Sequence, residues 1–212
     1  SRRSNAHSMC WIVIVSFLIS TLPISNDTIQ STSAEIPNHV VINEILVSPN
    51  KEDYNGTDWN GDGKFGLYTD MFLELYNPTS NDINISNWIL EVSGEDGSQS
   101  CSIGWDTILP SGEYLVFYRV DSDLEFNYFT GNTVKVLDTS NNLLDSFSFE
   151  AYDSDWDISY GRDSEGNWSK IDPPTPGISN SEVWPSEDGG PGTNHPIGSC
   201  YPNTGDLYHD GS

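Results

Sequence analysis

Basic residues are scarce in this chain. Eight Lys and Arg stand against 32 Asp and Glu, and the net charge is -24. Two of the eight, Arg2 and Arg3, sit at the start, so from Glu35 onward 31 acids face 6 bases, a balance of -25. Affinity for nucleic acid comes mostly from neutralising phosphates with Lys and Arg, so the composition argues against a nucleic-acid partner, and anionic lipid would be repelled by the same field. The acid excess suits a solvated surface, or carboxylates gathered around divalent cations. Long apolar runs are lacking too. The only one is Cys10–Leu22, an uncharged run of 13 residues. A membrane span needs about 20 residues, whereas a secretory h-region is shorter. With Arg2 and Arg3 before the run and Thr32-Ser33-Ala34 after it, residues 1–34 read as a signal peptide cleaved before Glu35, or as an uncleaved N-terminal anchor. The expected location is secreted or cell-surface, with no membrane insertion beyond the leader.

Cysteine is nearly absent: three residues, of which the leader takes Cys10. An exported chain could join Cys101 and Cys200, but Cys101 falls in a predicted strand and Cys200 in a loose tail. Two cysteines set no framework, so their pairing stays open. Extended helical periodicity is missing as well. Gly and Pro supply 30 residues, and Asn, Asp and Ser are frequent, which favours turns over long helices.

What the chain does have is short alternating runs and aromatics, 12% of all residues, enough for one buried core. The central stretch is Asp70–Leu90. It predicts strands Met71–Tyr76 and Ile83–Leu90 joined as a hairpin across Asn77, Pro78, Ser80, Asn81 and Asp82, each strand burying one face and wetting the other. Further strands are predicted at His39–Val47, Ser98–Ile103 and Glu113–Val120. Thr133–Leu137 and Leu143–Phe149 form a second hairpin. Ser48–Thr69 is a long polar insertion, and Asp153–Ser169 is irregular and aromatic-rich. The pattern predicts an all-β fold: an antiparallel β-sandwich of about seven or eight strands. The domain spans residues 35–180. Residues 181–212 read as a Gly/Pro/Asp-rich linker, or the start of a further domain.

Several pieces recur in a set order: Val41-Ile42-Asn43-Glu44-Ile45, Phe72-Leu73-Glu74-Leu75-Tyr76-Asn77-Pro78, Ile85-Ser86-Asn87-Trp88-Ile89-Leu90, Leu109–Leu115, Val134–Leu137, Leu144–Ser148 and Pro174–Asn180. The ordered set, over roughly residues 38–180, resembles the lamin-tail domain family, in its exported prokaryotic type. Met71 stands where that family more often has an acid. The resemblance implies an immunoglobulin-like fold. It implies no catalytic residues, because the family is defined by its fold.

The sharpest local signal is Asp58-Trp59-Asn60-Gly61-Asp62-Gly63. Oxygen side chains at alternate positions followed by Gly resemble the first half of an EF-hand loop, which wraps Ca²⁺. The candidate ligands are Asp58, Asn60, Asp62, the carbonyl of Lys64, and then Asp70 and Glu74. Thr69 occupies the twelfth position, where a bidentate Glu closes a full loop. The bland alternative is an acidic turn that needs no ion. Glu44 and Glu74 invite a glycosidase reading, which needs two carboxyls about 5 to 9 Å apart across a cleft. Both lie in the scaffold pieces of the resemblance, so they read instead as carboxylates bonded to backbone N–H groups. There is no G-x-S-x-G, no H-E-x-x-H and no phosphate-binding loop.

The expected function is therefore that of a non-catalytic, exported interaction or structural module, with Ca²⁺ as the possible cofactor. Its partner would be a protein or a surface polymer, and the oligomeric state is open. The alternative is an accessory domain of a secreted nuclease or protease whose catalytic part lies beyond Ser212. A carbohydrate-binding sandwich using Trp105 or Trp156 is a third reading.

Overall fold

The computed structural model describes residues 37–50, 52–182 and 195–203. The expected signal peptide and most of the 181–212 tail lie outside them. Short β-branched and aromatic runs become twelve strands among the described residues: β1 (Val41–Leu46), β2 (Phe72–Tyr76), β3 (Ile83–Asn84), β4 (Ile89–Gly94), β5 (Gly97–Ile103), β6 (Ile108–Leu109), β7 (Tyr114–Tyr118), β8 (Asn132–Leu137), β9 (Leu143–Phe149), β10 (Ser159–Arg162), β11 (Trp168–Ile171) and β12 (Cys200–Pro202). One helical turn, α1 (Arg119–Ser122), follows β7. The first sheet runs β11-β10-β1-β2-β7 and the second β12-β5-β4-β8-β9, with β3 and β6 as a separate small ladder. Both sheets are antiparallel, and they pack as the expected immunoglobulin-like sandwich. Ile42, Ile45, Leu73, Leu75 and Phe117 of the first sheet share one core with Leu90, Val92, Cys101, Ile103, Val134 and Val136 of the second.

The predicted hairpin across Asn77–Asp82 does not form. β2 pairs with β1 and β7, whereas β4 pairs with β5 and β8 in the other sheet. The chain crosses between layers here because Asn77 is fully buried and its Nδ2 donates to the carbonyls of Asn81, Leu109 and Pro110. Those bonds aim the strand exit at the β6 turn rather than back along β2. The Thr133–Phe149 hairpin does form, as β8 and β9.

The Asp153–Ser169 stretch is less irregular than its composition implies. It holds the β10 strand and the start of β11, which pair with each other. Asp163 makes their turn by accepting the N–H groups of Glu165 and Asn167, both at 2.8 Å. Part of the expected tail also returns to the sandwich. β12 pairs with β5, and Cys200 is bonded to Cys101 across a separation of 99 residues. The pairing left open by sequence is thus present.

Candidate functional site

The alternation of β1, β2 and β7 puts one set of side chains into the core and the other on the outer face of the first sheet. A bulge between Ile42 and Glu44 makes two residues of β1 face one step of β2, leaving Asn43 as the extra residue. Ile42 and Glu44 therefore point to opposite faces, although they are two apart. Glu44 lies directly opposite Glu74, and Glu74 opposite Val116. Two carboxyl groups thus share a row on the outer face.

That face is not wet. Glu44 and Glu74 are both 0% exposed. The segment after β11 covers them and, together with Ser159 of β10 and Asn43 of β1, satisfies their oxygens. Glu44 Oε1 accepts from Ser159 Oγ and, at 2.8 Å, from the Thr175 N–H; Oε2 accepts from Thr175 Oγ1 at 2.8 Å. Glu74 Oε1 accepts from Asn43 Nδ2 at 2.6 Å, and Oε2 accepts from the Gly177 N–H. Asn180 closes the cap by donating to the carbonyls of Asn43 and Arg162. Burial disfavours the ionised form, so Glu44 is pushed up from 4.5 to about 7. Glu74 is raised well above the usual carboxylate range, first by burial and then by its neighbour Glu44. Both shifts favour the protonated form of the pair.

A second apolar cluster continues the same face: Leu46, Phe72, Val116 and Tyr118 under Trp59 from the Ser48–Thr69 insertion. Tyr118 donates its hydroxyl proton to the Trp59 carbonyl at 2.5 Å. The expectation that β2 shows one face to water is overturned by this cover, since Phe72 to Leu75 are all buried.

The six candidate calcium ligands do not come together. Asp58, Asn60, Asp62 and Lys64 share one exposed turn. Asp58 accepts the N–H groups of Gly61, Asp62 and Gly63; Asn60 Oδ1 accepts from Asp62, and Asp62 Oδ1 from Lys64. Asp70 is buried beneath that turn. Its oxygens accept from the Trp59 N–H, the Gly66 N–H and Thr69 Oγ1. It therefore ties the two ends of the loop together instead of facing outward, and burial raises its pKa. Glu74 belongs to the capped pair. Among the described residues, no three His, Cys, Asp or Glu side chains converge where they could hold a metal ion.

Beside the cap, a groove of about 670 Å³ opens among Tyr76, Tyr114, Arg162 and the 179–181 segment. The Tyr76 and Tyr114 rings stack at 4.6 Å. The Arg162 guanidinium is already engaged by the Ile42 carbonyl and Asp145. Trp105 and Trp156 are both exposed. The capping residues Thr175 and Gly177 carry no chemical signal of their own. Their trace in sequence is the Pro-Thr-Pro-Gly run, whose prolines stop a strand but do not say where the segment lies.

Residues 33–151, more than half of the chain, match the Lamin Tail Domain family model. The chain belongs to the lamin tail domain family. No curated protein matches it. The matched region carries β1 to β9 and both carboxylates. The hairpin β10–β11, the cap and β12 follow it, so this lamin tail domain completes its first sheet, and covers it, with residues beyond the match.

Proposed function

We propose that this lamin tail domain is a non-catalytic contact module that works at the cell surface or outside the cell. The observation that carries this reading is the enclosure of Glu44 and Glu74. The groups best suited to acid–base chemistry are fully buried, and the chain's own N–H and O–H donors occupy them. Their work is to fasten a covering segment. Export is supported by the basic start and apolar run ahead of Glu35, and by the Cys101–Cys200 bond, since disulfides persist in oxidising compartments. The partner on this reading is a protein or a surface polymer, and nucleic acid is disfavoured by charge. Calcium, in this reading, engages only Asp58, Asn60, Asp62 and the Lys64 carbonyl, which is half of a complete shell.

Two measurements test the proposal. Purified protein is screened on casein, nucleic acid and glycoside substrates. Turnover that disappears in Glu74→Gln would overturn the non-catalytic reading. Residues 1–34 are fused to alkaline phosphatase, which is active only after export; an inactive fusion made at normal levels would overturn the location.

A further inference from the structure

Three aromatic rings meet at the open end of the β8–β9 hairpin. Tyr128 and Phe129 come from the loop before β8, and Tyr152 from the turn after β9. Their centroids are 5.3, 5.4 and 5.9 Å apart, and every pair meets edge to face. Phe129 is 65% exposed and Tyr152 66%. Tyr128 is half-buried and packs against the core, but burial does not explain Phe129 and Tyr152, because most of their surface stays in water.

The two loops are held in place beforehand. The Tyr152 N–H donates to the Tyr128 carbonyl at 2.9 Å, and the Phe129 N–H to Asn127 Oδ1 at 2.8 Å. Gly131 has φ +70, and a Cβ there would overlap the Phe149 carbonyl, so only glycine lets the loops approach so closely. Tyr152 itself has φ +60. A bulky residue in the left-handed region is strained. Asn or Gly would fit that backbone better and Tyr is there instead, which points to a use for its ring.

We infer that this triad is a docking surface for a cationic segment of a partner protein, rich in Arg. This rests on the reading of the domain as a contact module and names the partner's chemistry. Ring faces carry the negative end of the aromatic quadrupole and attract guanidinium groups. Exposed carboxylates stand alongside: Glu150 is in the Tyr152 turn, and Asp96 accepts from Asn127 Nδ2 at 2.7 Å. Asp153, in the same turn, is shared with Lys170 at 3.6 Å. The net charge of -24 draws the same partner from a distance. Rings tilted against each other offer no flat platform of the kind a sugar ring stacks on, whereas a guanidinium can sit over any one of their faces.

The test uses fluorescein-labelled nona-arginine and the full chain at physiological ionic strength. The double variant Phe129→Ser/Tyr152→Ser keeps the net charge, so general attraction is the same in both proteins. The expected result is binding by the wild type and about tenfold weaker binding by the variant. Tyr152→Asn relieves the backbone strain, so it is expected to melt no lower than the wild type and still to bind more weakly. Equal affinity for wild type and double variant overturns the proposal, as does no binding by the wild type. Variant-sensitive partition into neutral phosphatidylcholine vesicles also overturns it, by assigning the rings to lipid. A negative result removes this partner alone, because the contact-module reading is decided by the turnover screen.

Discussion

Glu74 shows most clearly what one residue does in this protein. Its folded pKa lies above its unfolded value, and so does that of Glu44, at about 7 against 4.5. Groups shifted upward stabilise the fold below the unfolded pKa, and that contribution is lost as pH rises through the folded one. The melting temperature is therefore expected to fall between about pH 4.5 and pH 7 and above. Asp70 acts in the same direction. Asp138 and Asp163, in the hairpin turns, are lowered by bonds from Asn142 and Asn167. Their contribution is lost only on acidification, in a window below the other. Glu74→Gln removes one member of the pair, so its melting temperature should depend less on pH across neutrality; thermal melts at pH 5 and pH 8 check this. A slope equal to that of the wild type would locate the titration elsewhere.

At the scale of elements, two irregular segments act as a third layer on the first sheet. Thr175 ties the cap to Glu44 through both its N–H and its hydroxyl. Thr175→Val keeps the shape and leaves a carboxyl oxygen short of a donor, a loss expected to cost about 1–3 kcal/mol in urea unfolding. Trp59 is the insertion's anchor and is 3% exposed. Trp59→Ala is expected to cost about 3–5 kcal/mol. Should that variant unfold like the wild type, the insertion would not be part of the cooperative unit. The strands were readable as elements because alternation and β-branching report directly on a pleated, half-buried surface. Their partners were less readable. Asn77 reads as an ordinary turn residue until its three acceptors are seen, and the turn at Asp163 hid a hairpin inside a stretch that reads as loop.

For the whole molecule, the Cys101–Cys200 bond joins β5 to the returning β12. It closes a loop of about a hundred residues, and such a constraint on the unfolded chain is typically worth about 2–5 kcal/mol. Cys101→Ser/Cys200→Ser is expected to lower stability by that amount in oxidising buffer. The wild type in dithiothreitol should match it, as paired urea titrations would show. If reduction has no effect, the bond adds nothing to stability beyond the pairing of β12 with β5. The acidic surface sets a further expectation: added salt should stabilise the protein by screening self-repulsion.

The residues by themselves determined the strand-rich class, the acid excess and the family pieces from Val41 to Ser148, which fall within the matched residues, because each of these depends on local pattern or on a sum. They also placed Glu44 and Glu74 in strands. Only the tertiary structure decided that the two face each other across one ladder, that a bulge at Asn43 turns Glu44 away from the core, and that a segment about a hundred residues downstream of Glu74 covers both. It likewise tucked Asp70 beneath the Asp58–Asp62 turn as an acceptor of backbone N–H groups, drew Glu74 into the capped pair, and brought Tyr128 beside Tyr152. The physical reason is that burial and pairing depend on which segments return to a given face, and neither periodicity nor charge records that return.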